Sequence, residues 1–101
     1  MLLVNKDNSL EIHSGDSFSL LCEIDFEINE PSDLIFVLTD EKNEKIIEKK
    51  AEKHGDYLYF IFASDDTKLS SGLYNYYIKW TFDEQNGTTI INNVLKVKRS
   101  V

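Results

Sequence analysis

Between positions 18 and 28 every second residue is apolar: Phe18, Leu20, Cys22, Ile24, Phe26 and Ile28. Ser17, Ser19, Glu23, Asp25, Glu27 and Asn29 fall between them, and only Leu21 interrupts the polar set. A helix would scatter these apolar residues around its circumference, whereas extended backbone puts them all on one face. The stretch therefore commits the chain to a sheet with one face turned toward a core. It is longer than an ordinary strand of ~5–6 residues, so a bend or an end is expected near Phe26.

The same period returns at Tyr74, Tyr76, Ile78, Trp80 and Phe82, with Asn75, Tyr77, Lys79, Thr81 and Asp83 opposite. These are good strand formers. Residues 83–87 read as a hairpin loop in which Gly87 takes positive φ. In residues 88–97, Ile91, Leu95 and Val97 share one face and Ile90 and Val94 the other, which places a bulge between Ile90 and Val94. Residues 34–38 and 57–63 are apolar on both faces, the pattern of buried central strands. Leu2 to Val4, then Leu10 with Ile12, supply two short N-terminal pieces, with polar turns at 5–8 and 13–16. Residues 40–44 read as a turn. Residues 45–53 admit two readings. One is a Lys- and Glu-rich helix stopping at Gly55. The other, preferred here, is a charged edge strand that closes through Gly55-Asp56 into Tyr57.

About seven to eight short strands, with turn signals every ~8–12 residues, describe an all-β chain folded as an antiparallel β-sandwich. The 101 residues suit one domain spanning 1–101. Eleven basic residues against eighteen acidic give −7, which makes a phosphate backbone an unfavourable partner, so no nucleic acid is expected. No run approaches the ~18 apolar residues of a membrane span, and the apolar opening is too short for a signal peptide. The one cysteine excludes a disulfide within the chain and favours a reducing compartment. On charge, residues 40–53 and 65–66 should resist pairing with another copy, while residues 88–97 should be open to it.

Chemistry is sparse. His13, Ser14 and Asp16 are the residue types of a hydrolytic triad, but neighbours in sequence do not make triad geometry, and they read as a turn. His54 lies in another turn. Cys22 falls on the apolar face of its strand and reads as a small core hydrophobe. One Cys and two separated His cannot make a zinc site. Asp65-Asp66 and Asp40-Glu41 lack the alternating acidic pattern of a calcium loop and read as solvated turns. The four glycines are dispersed and form no phosphate loop. Lys96, Lys98 and Arg99 read as a charged strand end. Tyr74, Tyr76 and Trp80 share their face with Ile78 and Phe82 and read as core, leaving Tyr77 and Tyr59 as candidates for exposed aromatic contacts. No catalytic, cofactor-binding or metal residue is assigned, and an enzyme is not expected.

Leu69-Ser70-Ser71-Gly72-Leu73-Tyr74-Asn75-Tyr76 matches the corner that opens the sixth strand of immunoglobulin-like domains, where a tyrosine hydroxyl bonds back to upstream backbone. Tyr76 stands where antibody domains carry their second cysteine, and Cys22 about where they carry the first. The order Gly15-Asp16-Ser17-Phe18-Ser19-Leu20, then Asp33-Leu34-Ile35-Phe36-Val37-Leu38, then Gly72-x-Tyr74-x-Tyr76, then Leu95-Lys96-Val97 resembles the N-terminal domain of baseplate upper proteins from phages of Gram-positive bacteria. The resemblance implies an immunoglobulin-like module in a phage or prophage tail or baseplate, a non-catalytic virion structural protein assembled in the bacterial cytoplasm. Its implied partners are other virion or tail proteins, or further copies of itself, and the resemblance carries no catalytic residue or cofactor. The alternative class is a carbohydrate- or ligand-binding β-sandwich, motivated by the aromatic content.

Overall fold

A computed structural model of the chain describes residues 2–24, 28, 30–81 and 87–99. Nine strands are formed among them: β1 (Leu3–Val4), β2 (Leu10–His13), β3 (Phe18–Cys22), β4 (Leu34–Thr39), β5 (Lys45–Lys50), β6 (Glu52–His54), β7 (Tyr57–Phe62), β8 (Gly72–Thr81) and β9 (Gly87–Lys98). Two short 3₁₀ turns, Pro31–Asp33 and Ser64–Thr67, stand before β4 and after β7. The strands make a six-stranded sheet in the order β1-β2-β9-β8-β4-β5 and a three-stranded sheet in the order β3-β7-β6.

The all-β expectation holds, but the sheets are not purely antiparallel. Strand β2 runs parallel to β9, with Leu10 beside Leu95 and Ile12 beside Val97. A parallel neighbour needs a long connection rather than a hairpin, and here the connection is most of the chain. No local pattern in four residues announces such a pairing. The strand count exceeds the expected seven to eight for an equally local reason. Residues 45–53 are extended, as preferred, but they form two strands on different sheets. β5 pairs with β4, and β6 pairs with β7. Ala51 marks the crossing; it is buried and its N–H donates to the Leu34 carbonyl at 3.0 Å. Gly55 and Asp56 then join His54 to its partner Tyr57, with Gly55 at φ +65°.

The inner faces follow the period-two reading. Phe18, Leu20 and Cys22 pair across from Phe62, Phe60 and Leu58. Leu34, Phe36 and Leu38 pair across from Trp80, Ile78 and Tyr76. Phe36 sits at the centre, 5.2 Å from the Tyr76 ring in parallel stacking, and 5.1 and 5.8 Å from Phe62 and Phe60 of the facing sheet. β4 is buried along its whole length. β7 is central as expected, yet only its inner face is closed: Phe60 and Phe62 are buried and Tyr57 is exposed.

Three further expectations change. The bulge lies at Ile90, because Ile78 pairs with Ile91 while Lys79 pairs with Thr89. Gly87 does not adopt positive φ; it pairs with Thr81 at the start of β9, where a Cβ would come within 3.1 Å of the Trp80 carbonyl oxygen. Glycine thus relieves crowding against the backbone there rather than serving turn geometry. Of the stretch expected to be open to another copy, residues 95–97 are closed, since β2 pairs with Leu95–Lys98 on the side of β9 away from β8; the described pairing of β2 does not reach the residues before Leu95. The hairpin loop expected before Gly87, and the bend near Phe26, lie outside the described residues; the paired part of that first run ends at Cys22.

Candidate functional site

The chemistry-bearing residues singled out in the sequence are not brought together. Asp16 accepts the His13 backbone N–H at 2.8 Å, and its Oδ2 stands 3.9 Å from His13 Nδ1. Ser14 turns away, its hydroxyl meeting the Thr67 carbonyl at 3.5 Å, so the three side chains do not form a relay. His54 lies on the β6–β7 hairpin with its ring 6.2 Å from that of Tyr59. Asp65 pairs with Lys68 at 2.8 Å and Asp66 with Lys49 at 2.8 Å. The Lys49 ammonium, followed by the Ala63 N–H, holds the Asp66 carboxyl below its usual range. Asp40 spends one oxygen on the Lys42 and Glu44 N–H groups of its own turn, at 2.8 and 3.0 Å. Among the described residues no cluster of His, Cys, Asp or Glu has the makings of a metal site. No helix among them is long and apolar enough to cross a membrane.

Two concavities stand out among the described residues. A cleft of about 330 Å³ opens between the sheets, walled by Leu10, Leu20, Cys22, Tyr76, Ile78 and Ile91, with Val4, Leu21, Asn8 and Glu23 also lining it. Burial pushes the Cys22 thiol up from its ordinary value, which suits a core residue and opposes thiolate chemistry. Tyr76 lies in the same wall and donates its hydroxyl to the Asn8 carbonyl. A buried thiol and a buried phenol thus stand beside one cleft.

The second is an open groove of about 570 Å³ on the outer face of the six-stranded sheet, lined by Val37, Thr39, Asn43, Lys45, Asn75, Tyr77, Lys79 and Asn92. The strand registers explain its composition. Residues directly opposite share a face. Val37 faces Glu48 on one side and Tyr77 on the other, and Tyr77 faces Asn92. Ile35 lies between Lys50 and Lys79, and Thr39 between Lys45 and Asn75. Farther along the face, Lys96 and Lys98 of β9 stand beside Glu11 and His13 of β2.

The face is therefore basic in an acidic protein. Among the described strand residues it carries Lys45, Lys50, Lys79, Lys96 and Lys98 against Glu11 and Glu48, a surplus of three. The whole chain carries −7, which leaves −10 elsewhere. Two of the lysines are neutralised locally, Lys45 by Glu48 at 2.6 Å and Lys98 by Glu11 at 3.2 Å. These lysines hold both carboxyls below their usual range, with Asn5 a second donor to Glu11.

Of the two aromatic residues expected to make exposed contacts, Tyr77 is in this groove and half-buried. Tyr59 is half-buried on the outer face of the smaller sheet. Trp80 and Tyr74 are partly buried and pack against the core, as expected from their face. The most exposed large apolar residues, Leu73 at 66% and Tyr57 at 55%, were not singled out; both belong to strands whose alternation reads as inward-facing only at alternate positions. Lys45, Asn75, Lys79 and Asn92 were missed as a group because β5, β8 and β9 are distant in sequence.

No protein-family model matches this chain, and no curated protein compared with it is significantly similar.

Proposed function

We propose that this chain is a non-catalytic, immunoglobulin-like binding module that acts through protein–protein contacts, in a phage tail or baseplate as the resemblance implies. Strand order supports the immunoglobulin-like reading. Named in the order usual for such domains, β2-β9-β8-β4-β5 corresponds to A′-G-F-C-C′ and β3-β7-β6 to B-E-D. Tyr74 supports it further, donating its hydroxyl to the Ser70 carbonyl at 2.7 Å in the manner of the tyrosine corner.

One observation carries the functional reading: the segregation of charge onto the outer face of the six-stranded sheet. A basic face on a strongly acidic chain attracts an acidic protein surface and orients the approach. The module's own acidic remainder discourages non-specific association. The test is binding of the purified chain to purified tail and baseplate proteins encoded beside its gene, at low and at high salt. Binding that weakens with salt and is lost in Lys79→Glu with Lys96→Glu is the expected result. Absence of binding to all of them, together with a strictly monomeric chain, would sink the reading.

The groove also gives the glycan-binding alternative a specific motive, because Tyr77 lines it together with Asn43, Asn75 and Asn92. A glycan-array signal abolished by Tyr77→Ala and indifferent to salt would favour that alternative.

A further inference from the structure

β4 is apolar on both faces, the pattern of a strand covered on both sides. Leu34, Phe36 and Leu38 belong to the core between the sheets. Ile35 and Val37, 9% and 1% exposed, are buried outside that core. They lie on the outer face, where their neighbours are side chains of their own sheet: Lys50 and Lys79 beside Ile35, Glu48 and Tyr77 beside Val37. Among the described residues, the groove over this face is lined by β4, β5, β8, β9 and Asn43, with nothing from the smaller sheet.

The apolar surface continues past the groove. Leu73, 66% exposed, pairs with Lys96, and Val94 is its diagonal neighbour on the same face. A single exposed leucine needs no explanation. Here, however, apolar side chains follow one another from Ile35 and Val37 through Tyr77 and Val94 to Leu73, across three strands. Lysines border them. Lys50 and Lys79 stand at one end and Lys96 at the other, and none of the three is in an ion pair among the described residues. The turn 40–44, which follows Thr39 opposite Asn75, brings Asp40, Glu41 and Glu44 to one corner. Lys50, Lys79 and Lys96 lie away from it.

We infer that this face docks an acidic protein surface through an apolar centre. The partner presents an apolar side chain within a ring of carboxylates. The apolar group sits against Leu73, Val94 and Tyr77, and the carboxylates meet Lys79 and Lys96. An apolar centre with a polar rim is the anatomy of a protein–protein interface. Charge complementarity selects the occupant, because the rim is basic. A simple polyanion would leave the apolar centre unused. The inference rests on the acidic-partner reading above and adds where the affinity resides: the lysines steer the approach, and the apolar centre holds the complex.

Amide NMR titration of the isotope-labelled full chain with three hexapeptides tests it. One has four glutamates around a Phe-Leu centre, the second has the same glutamates around Ser-Ser, and the third has glutamines around Phe-Leu. The first is expected to bind about tenfold or more tighter than the second, shifting the signals of Leu73, Tyr77 and Val94. Leu73→Ser, at an exposed position, should remove most of that advantage while leaving Tm unchanged. Equal binding of the two glutamate peptides, or a Phe-Leu peptide indifferent to Leu73→Ser, would overturn the inference and leave the acidic-partner reading standing. Binding of the glutamine peptide as tight as that of its glutamate counterpart would overturn the acidic-partner reading, and the ring of carboxylates with it. No binding by any of the three would overturn both.

Discussion

Two tyrosines two residues apart on β8 hold different parts of the molecule. Tyr74 closes its own corner through the Ser70 carbonyl, whereas Tyr76 reaches across the chain to the Asn8 carbonyl. Asn93, opposite Tyr76 in the β8–β9 register, donates to the Asp7 carbonyl at 2.5 Å. The turn between β1 and β2 is thus tied down by two side chains from the middle of the larger sheet. Burial, followed by the charge of Asp7, raises the Tyr76 phenol above its ordinary 10.0. The sign follows by linkage. An acid whose folded-state value is raised loses its proton first in the unfolded chain, so its contribution to stability is complete below pH ~10 and declines as pH rises through the folded value. Urea unfolding followed from pH 8 to pH 11 should show this alkaline loss, and Tyr76→Phe should flatten it while lowering stability at pH 8 by about 1 kcal/mol.

At the scale of the element, the informative segment is 45–57. Its charges suit an edge, and the molecule uses them on two edges by crossing between sheets at Ala51. The side chains of β5 alternate accordingly. Lys49 lies opposite Phe36 on the inner side, reaching Asp66, while Lys45, Glu48 and Lys50 decorate the outer face. The crossing leaves only two residues to reverse the chain from β6 into β7. Such two-residue loops favour positive φ at their first position because it matches the twist of the flanking strands. Gly55 supplies it at φ +65°, with open space around the missing side chain. Gly55→Ala meets no clash, so its cost is conformational, about 1 kcal/mol. Thermal unfolding of this variant should show a lower Tm with the circular dichroism of the folded state unchanged.

For the molecule as a whole, Phe36 is the residue through which the sheets depend on each other. It is 1% exposed and touches aromatic rings of both layers. Truncating such a side chain removes its burial and leaves a cavity between layers that cannot collapse independently. Phe36→Ala is expected to cost about 3–5 kcal/mol. Because one core serves both sheets, Trp80 fluorescence and far-ultraviolet circular dichroism should report coincident unfolding midpoints in the variant as in the parent. Separate midpoints would mean that the three-stranded sheet melts on its own.

Much of this arrangement is legible without coordinates. Alternation at Phe18-Leu20-Cys22 and at Tyr74-Tyr76-Ile78-Trp80 is local, because a strand's side chains take turns across its own backbone. That is enough to give strands, their inward faces, and the core role of Cys22 and Tyr76. The doubly apolar run at 34–38 likewise marks a strand covered on both sides. The sequence does not say which strands become neighbours. The parallel docking of β2 on β9, the crossing at Ala51 and the interior position of β9 depend on contacts between residues tens of positions apart. Those contacts are decided by packing around one shared core rather than by any short pattern. The basic face is of this kind: Lys45, Lys79 and Lys96 are unremarkable one at a time, and only the juxtaposition of β5, β4, β8 and β9 collects them against the acidity of the rest of the chain.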